Sequence, residues 1–252
     1  MTNTSKISSS ANTCLRVLRA VADHPEGVGI TQLARELDIG KSSIHMFLAT
    51  LASHGFVERQ AASSYRLGMT AFEVGSATPE TARFGGPVLE PMRRLADLSG
   101  EAVTLAVLSG QDALMVQRFE TAHILRAEIR VGTRMPLTSC ASGKFLLAHM
   151  DDAEVDALLP EERLPATTPH SERSKTKLRR GFATIRERGW ATNDEEFAEG
   201  ITGIATGVHG RDGNFAAALS IAGPTMRFEP ESWVDDLLRT AAEMNQLIAA
   251  RP

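Results

Sequence analysis

An α+β chain of two domains is what the sequence predicts, on three observations. Residues 12–70 carry three short helical stripes and then two β-like runs. From Glu101 onward, strand-like alternation interleaves with helical spacing. Between them, residues 71–100 are broken by Gly and Pro and read as a linker region that ends in a helix. Residues 1–11 are polar and rich in Ser and Thr, and are expected to be a disordered tail. The chain has 252 residues, 42% apolar and 23% charged, an ordinary globular mix.

In the first domain, "NTCLRVLRAVAD" (12–23) places Leu15, Leu18, Val21 and Ala22 on one helical stripe. Thr31 is the expected N-cap of "QLARELD", with Leu33, Ala34 and Leu37 on one face. After the break "DIG", a third helix is predicted from Lys41 to Ser53. Its apolar residues Ile44, Phe47, Leu48 and Leu51 follow i, i+3, i+4, i+7, and Gly55 is its expected C′ residue. "FVER" and "YRLG" then read as a hairpin joined by "QAASS". Helix, helix, turn, helix, hairpin is the order of a winged helix-turn-helix, with the two central helices at about 30–50.

"VLEPMRRLADLSG" (88–100) reads as a helix with Val88, Met92, Leu95 and Leu98 inward. In residues 101–252, two strands are expected about a turn at Ser109–Asp112, and a third at 125–137. "TSCASGKFLLAHM" and Asp151–Leu159 read as helices, and 175–189 as one amphipathic helix ended by Gly189. Two strands flank "RDG", and 231–251 forms the last helix. The expected result is a mixed sheet flanked by helices.

Composition excludes several classes of protein. Cys14 and Cys140 lie far apart, so neither a disulfide framework nor zinc spacing is present, and a reducing cytoplasm is the expected location. No apolar run approaches the roughly 18–20 residues that span a bilayer. Net charge is −4, so any nucleic-acid contact must come from basic groups focused on one face.

The start of the third helix is the first candidate surface. Backbone amides at a helix start favour phosphate, and Lys41, Ser42 and Ser43 add donors. His45 and Met46 face outward one turn in, where base edges would lie. A polar first turn that merely caps a helix is the competing reading. Arg59 and Arg66 lie on the two arms of the hairpin, suited to flanking phosphates.

Cys140 sits in "TSCASGK", small residues feeding a helix. A thiolate there could serve as a nucleophile, with His123, His149, His170 or His209 as base. The same small residues would let an anionic ligand approach the backbone. Asp194, Glu195 and Glu196 form a consecutive acidic run without His or Cys at ligand spacing, so no metal and no cofactor is expected. "GKF" at 143–145 lacks the glycine spacing of a phosphate loop.

Several runs together resemble the IclR family of bacterial transcription regulators. They are "ITQLARELDIGKSSIHMFLATLASHGFVER", "YRLG", "EAVTLAVL", "VGTRMPLTSCASGKFLLAHM", "RERGWATNDEEFAEGITGIA" and "AAALSIAGP". The resemblance covers about residues 12–250. It implies a winged helix on a palindromic double-stranded DNA operator, and a GAF/PAS-like second domain that binds a small organic effector. It implies homodimers, often paired into tetramers, that act as repressors or activators. By motif, the effector cup falls at Cys140, Ala141, Ser142, Asn193, Gly203, Ser220 and Ala222. Arg130 and Arg134 are expected to pair with an effector carboxylate.

The sequence departs from the family pattern at these places. Asn193 stands for the usual Asp, Gly203 for Cys and Ala222 for Ser. The cup is therefore expected to be roomier and less polar, with bulkier, aromatic acids among its candidate ligands. Met46 stands where Arg is common, and Gly40 where Pro is common. Loss of that Arg removes a bidentate contact to guanine. The alternative class is an enzyme with Cys140 as nucleophile.

Overall fold

A computed structural model describes residues 7–60, 63–78, 84–121, 123, 129–210 and 212–250. Part of the expected tail (1–6), two residues of the hairpin loop, residues 79–83 of the linker region, 124–128 of the expected third strand and Arg211 lie outside them. The chain divides into two compact units, Met1–Ala82 and Arg83–Pro252.

In the first unit, α1 spans Ser9–Ala22, β1 Val28–Gly29, α2 Ile30–Leu37, α3 Lys41–Ser53, β2 Val57–Arg59, β3 Ser64–Leu67 and α4 Met69–Ser76. Helix α1 starts three residues before the expected position. The Ser8 hydroxyl accepts from the Ala11 amide and so caps the helix within the supposed tail. Helix α2 is capped by Gly29 rather than Thr31, because Val28–Gly29 is drawn into the sheet beside β3. The three strands pair antiparallel in the order β1-β3-β2.

Val17, Val21, Leu33, Ile44, Leu48, Val57 and Tyr65 close one core. Each fully buried Leu or Ile here stabilises the fold by roughly 1.5–3 kcal/mol. Helix α3 has the predicted bounds and buried face. Gly55 follows it at φ +74°, the left-handed conformation that ends a helix.

In the second unit, α5 spans Leu89–Ser99, β4 Ala102–Ser109, β5 Asp112–Phe119, β6 Arg134–Pro136, α6 Ala141–Ala148 and α7 Asp152–Leu158. They are followed by α8 Lys175–Arg180, α9 Phe182–Arg188, β7 Ala191–Asp194, β8 Ile201–His209, β9 Phe215–Pro224 and α10 Val234–Ala249.

The expectation of a linker through residue 100 is corrected here. Val88, Met92, Leu95 and Ala96 are buried in the second unit's core, so α5 belongs to that unit, while α4 belongs to the first. Leu98, expected inward, is exposed; Ala96 takes the inward place, one turn after Met92. The single helix expected at 175–189 is two, broken at Gly181.

The sheet runs β6-β5-β4-β9-β8-β7, and every described pairing is antiparallel. A mixed sheet was expected. The described strands instead join mostly as hairpins, which force antiparallel neighbours. The third strand of this domain is also shorter than expected, three residues at Arg134–Pro136.

The two faces of the sheet differ in side-chain size. Val103, Leu105, Ile204, Val208, Leu219 and Ile221 face α5 and α10. The alternate positions are Ala102, Thr104, Ala106, Ala191, Asn193, Gly203, Ala205, Ala218, Ser220 and Ala222. That face of small residues lies toward α6.

Candidate functional site

Helix α3 presents the first candidate surface. Ile44, Phe47, Leu48 and Leu51 hold it to the core, and Lys41, Ser42, His45 and Met46 are exposed, with Ser43 partly so. Met46 is 55% exposed, so its thioether stands on the free face of the helix. Gly40 supplies no side-chain cap, so the first-turn amides face outward without an intrahelical acceptor. Hydroxyls, a lysine and bare amides thus converge on one exposed helix start.

Both hairpin arginines are exposed and tethered. Arg59 donates to Ser63 Oγ at 3.0 Å. Arg66 pairs across the hairpin with Glu58 at 3.3 Å, the residue it faces in register.

The second candidate site lies on the small-residue face of the larger sheet. Register places Asn193, Gly203, Ala222 and Ala102 in one row across four strands. The adjacent row holds Ala191, Ala205, Ser220, Thr104 and Arg118. Ser220 and Thr104 share a buried hydroxyl bond of 2.6 Å. Asn193 Oδ1 accepts from the Glu196 and Phe197 amides at 2.9 and 3.2 Å, which shapes the acidic loop. A side chain at Gly203 would bring its Cβ within 3.1 Å of Ala222 Cβ, so the two departures from the family pattern face each other.

Helix α6 covers this face with every residue buried. Gly143 is required by close approach: a Cβ there would lie 2.4 Å from Leu137 Cα. Cys140 caps the helix, its Sγ accepting from the Gly143 amide at 3.2 Å. Burial pushes the Cys140 thiol up to about 12. Burial therefore favours the protonated thiol, the weakly nucleophilic form. At one end of the face, Phe145 and Phe215 fill the space over Gly207, their rings edge-on at 5.1 Å.

The two expected carboxylate partners are placed elsewhere. Arg134 is opposite Leu114, which faces the α5–α10 core, so it points from the wrong side of the sheet. Its guanidinium bonds Ser109 O at 2.8 Å and Asp112 Oδ2 at 3.3 Å, bracing the β4–β5 turn. Arg130 is exposed in the turn at 130–133.

Sequence reasoning missed Thr104 and Arg118: alternation along β4 groups Thr104 with Ala102, but the register shift between β4 and β5 leaves no sequence signal that would place Arg118 beside Ser220. It also missed the nearly buried Lys144–Glu196 ion pair. That pair borders a cavity of about 670 Å³, lined further by His170, Arg173, Lys177 and Arg188. None of the expected effector residues lines this open groove. Among the described residues, no group of three or more His, Cys, Asp and Glu could hold a metal, and no helix is long and apolar enough to cross a membrane.

Comparison with known proteins agrees with both halves of the chain. Residues 14–61 match the IclR helix-turn-helix domain, and residues 88–247 match the bacterial transcriptional regulator IclR C-terminal domain. The chain is 32% identical over 229 residues to the regulator KdgR of Escherichia coli, covering 90% of this chain and 87% of that one. It is 31% identical over 229 residues to BhcR of Paracoccus denitrificans, covering 89% and 82%. Its fold matches an IclR homolog from Microbacterium hydrocarbonoxydans complexed with 4-hydroxybenzoate, with a TM-score of 0.84 at 24% identity over 96% of this chain and 100% of that chain. A helix held to its core by one face and a second domain of the matching fold agree with these relatives, which are regulators and not enzymes, and the chain belongs to the IclR family of ligand-responsive bacterial transcription regulators.

Proposed function

We propose that this regulator reads a palindromic operator through Lys41, Ser42, Ser43, His45 and Met46, with Arg59 and Arg66 on flanking phosphates. The proposal also has it release or engage that DNA when a small organic acid occupies the small-residue face under α6. The observation that carries the DNA half is α3 itself. Its buried stripe fixes the helix, and its free face opens on a basic, hydroxyl-rich first turn. The effector half rests on the two bare rows beside Ser220 and Asn193, where methyl groups and glycine take the place of larger side chains.

A homodimer in the cytoplasm is the assembly that suits an operator of two half-sites. Helix α4 supports it: none of its residues is buried, and Met69, Phe72 and Val74 are all exposed. Phe72 alone is 69% exposed, and a second copy of α4 is the apolar partner we assign to it.

The test is a footprint on DNA upstream of the protein's own gene. Protection of two half-sites with A·T at the bases under Met46 is the expected result, because a thioether contacts a thymine methyl and cannot fork to guanine. Half-sites centred on G·C contacts would remove the assigned role of Met46. Absence of any protected site would remove the regulator reading itself. Addition of 4-hydroxybenzoate, the acid bound by the solved relative, is the first effector trial.

A further inference from the structure

The small-residue face ends at a buried arginine. Arg118 lies on β5, opposite Thr104, and Thr104 in turn faces Ser220 on β9. A register shift after Leu105 keeps Arg118 on this face, while its neighbour Phe119 packs on the other. Arg118's side chain is only 5% exposed. With Ala102, Ala222 and Gly223 on the sheet and Ile129 and Ile201 beside them, it lines a small, partly enclosed cavity of about 30 Å³. That is room for one small polar group, about the share of a single water in the liquid. The cavity thus lies beside the β4 end of the row Asn193–Gly203–Ala222–Ala102, while Phe145 and Phe215 cover Gly207, two rows further along the strands.

Resting on the effector reading above, we infer that Arg118 is the group that takes the effector's carboxylate, the role the sequence pointed to at Arg130 and Arg134. A buried guanidinium must keep an anion beside it, because an uncompensated charge in a dry site is costly. In this structure Glu120 is one such anion, bound side-on, Nε to Oε1 at 2.5 Å and Nη2 to Oε2 at 3.2 Å. Glu120 itself is 52% exposed. It can swing to water at small cost, whereas Arg118 cannot. A ligand carboxylate would replace one planar anion by another on the same fork. The other carboxylate lining the cavity, Glu101, is held by Arg227 through bonds of 2.6 and 2.9 Å, so it does not compete for Arg118. The ligand class is therefore a monocarboxylic acid whose body lies along the bare rows toward Gly203 and Asn193. Glu120 is its built-in competitor.

Two substitutions with opposite expected signs test this in the full chain. Benzoate is the probe, and benzamide its neutral isostere. Benzoate should raise the melting temperature of the unsubstituted protein, and benzamide should not. Arg118→Gln should weaken benzoate binding by roughly 10–100-fold, the range of a lost charge-assisted pair. Arg118→Lys, which keeps the charge without the fork, should fall between. Glu120→Gln should tighten benzoate binding several-fold, a gain that a folding defect cannot produce. Equal benzoate affinity in Arg118→Gln and the parent overturns the inference. So do weaker binding in Glu120→Gln and a parent protein that does not distinguish benzoate from benzamide. Operator binding is measured in the same samples without acid. A failed regulator reading is seen there, and a failed role for Arg118 is seen in the benzoate titration.

Discussion

Helices α3 and α6 begin almost alike and end in opposite surroundings. One opens "GKSS" and the other "CASGK", both small and polar with a single lysine, and both reach a histidine at the C-cap. Yet Lys41 and Ser42 stand in solvent, while Ala141 to Lys144 are all buried. The first turn does not distinguish them. What does is the rest of the helix. Helix α3 confines its apolar groups to one stripe, so the opposite face must remain outside. Helix α6 continues with Phe145, Leu146, Leu147 and Ala148 and has no polar face to leave in water. A helix that is apolar all round is a buried one. The same small residues therefore leave their amides in solvent in one case. In the other they allow close packing over a sheet.

The strongest way to break this comparison is to add one methyl group at each glycine. Gly143→Ala places a Cβ against the Leu137 backbone at 2.4–2.7 Å, where no side-chain movement relieves it. The expected loss is about 4 kcal/mol or more, among the largest for a point change, read from the urea midpoint. Gly40→Ala has nothing within 4 Å of the new Cβ and should cost only roughly 0.5–1 kcal/mol, the preference of an N-cap for Gly over Ala. Similar losses at both sites would show that the two helix starts are packed alike.

The lysines make the second contrast. Lys144 is 11% exposed and its partner Glu196 14%, so Lys144→Met leaves a carboxylate buried without its charge partner. The expected cost is roughly 3 kcal/mol in stability. Lys41→Ala should leave stability within about 0.5 kcal/mol. Its effect should be on DNA, with weaker operator binding for all sequences and a salt slope reduced by about one ion. Loss of operator binding without loss of stability in Lys144→Met would reverse the assignment.

What was legible in the sequence follows the same division. Periodicity located α3 to the residue, with its buried face, because four apolar positions fixed its phase. It failed where phase was set from outside the segment. Ala96 rather than Leu98 turns inward on α5, and Gly181 splits a stripe that reads as continuous. Strand existence was readable, but pairing was not. Without the register of β5 on β4 and β6, nothing in the sequence says that Arg118 shares a face with Ser220 and that Arg134 does not. The motif-based cup residues do gather, since Asn193, Gly203 and Ala222 fall in one row. Arg130 and Arg134 lie near the cup motif in sequence, but strand alternation puts Arg134 on the opposite face.

The smallest expected effect concerns the two C-cap histidines and shows itself only in acid. His149 is stacked on Phe145 at 4.2 Å, and its Nδ1 lies 2.8 Å from the Phe145 carbonyl. Burial holds its pKa below the ordinary histidine value. The Phe145 carbonyl opposes that shift, and Arg186 and His209 add to it. The unfolded chain therefore binds this proton more readily than the folded one. Stability is at its full value above the unfolded pKa, near 6.5, and declines as pH falls from there toward the folded value. His149→Gln should remove that part of the acid slope, read as the pH dependence of the urea midpoint between about pH 7 and pH 5. His54, the C-cap residue of α3, is exposed instead. An unchanged slope in His149→Gln would mean that the end of α6 is wetter than its neighbours Phe145 and Phe215 make it. The contrast between the two helices would then hold for their first turns alone.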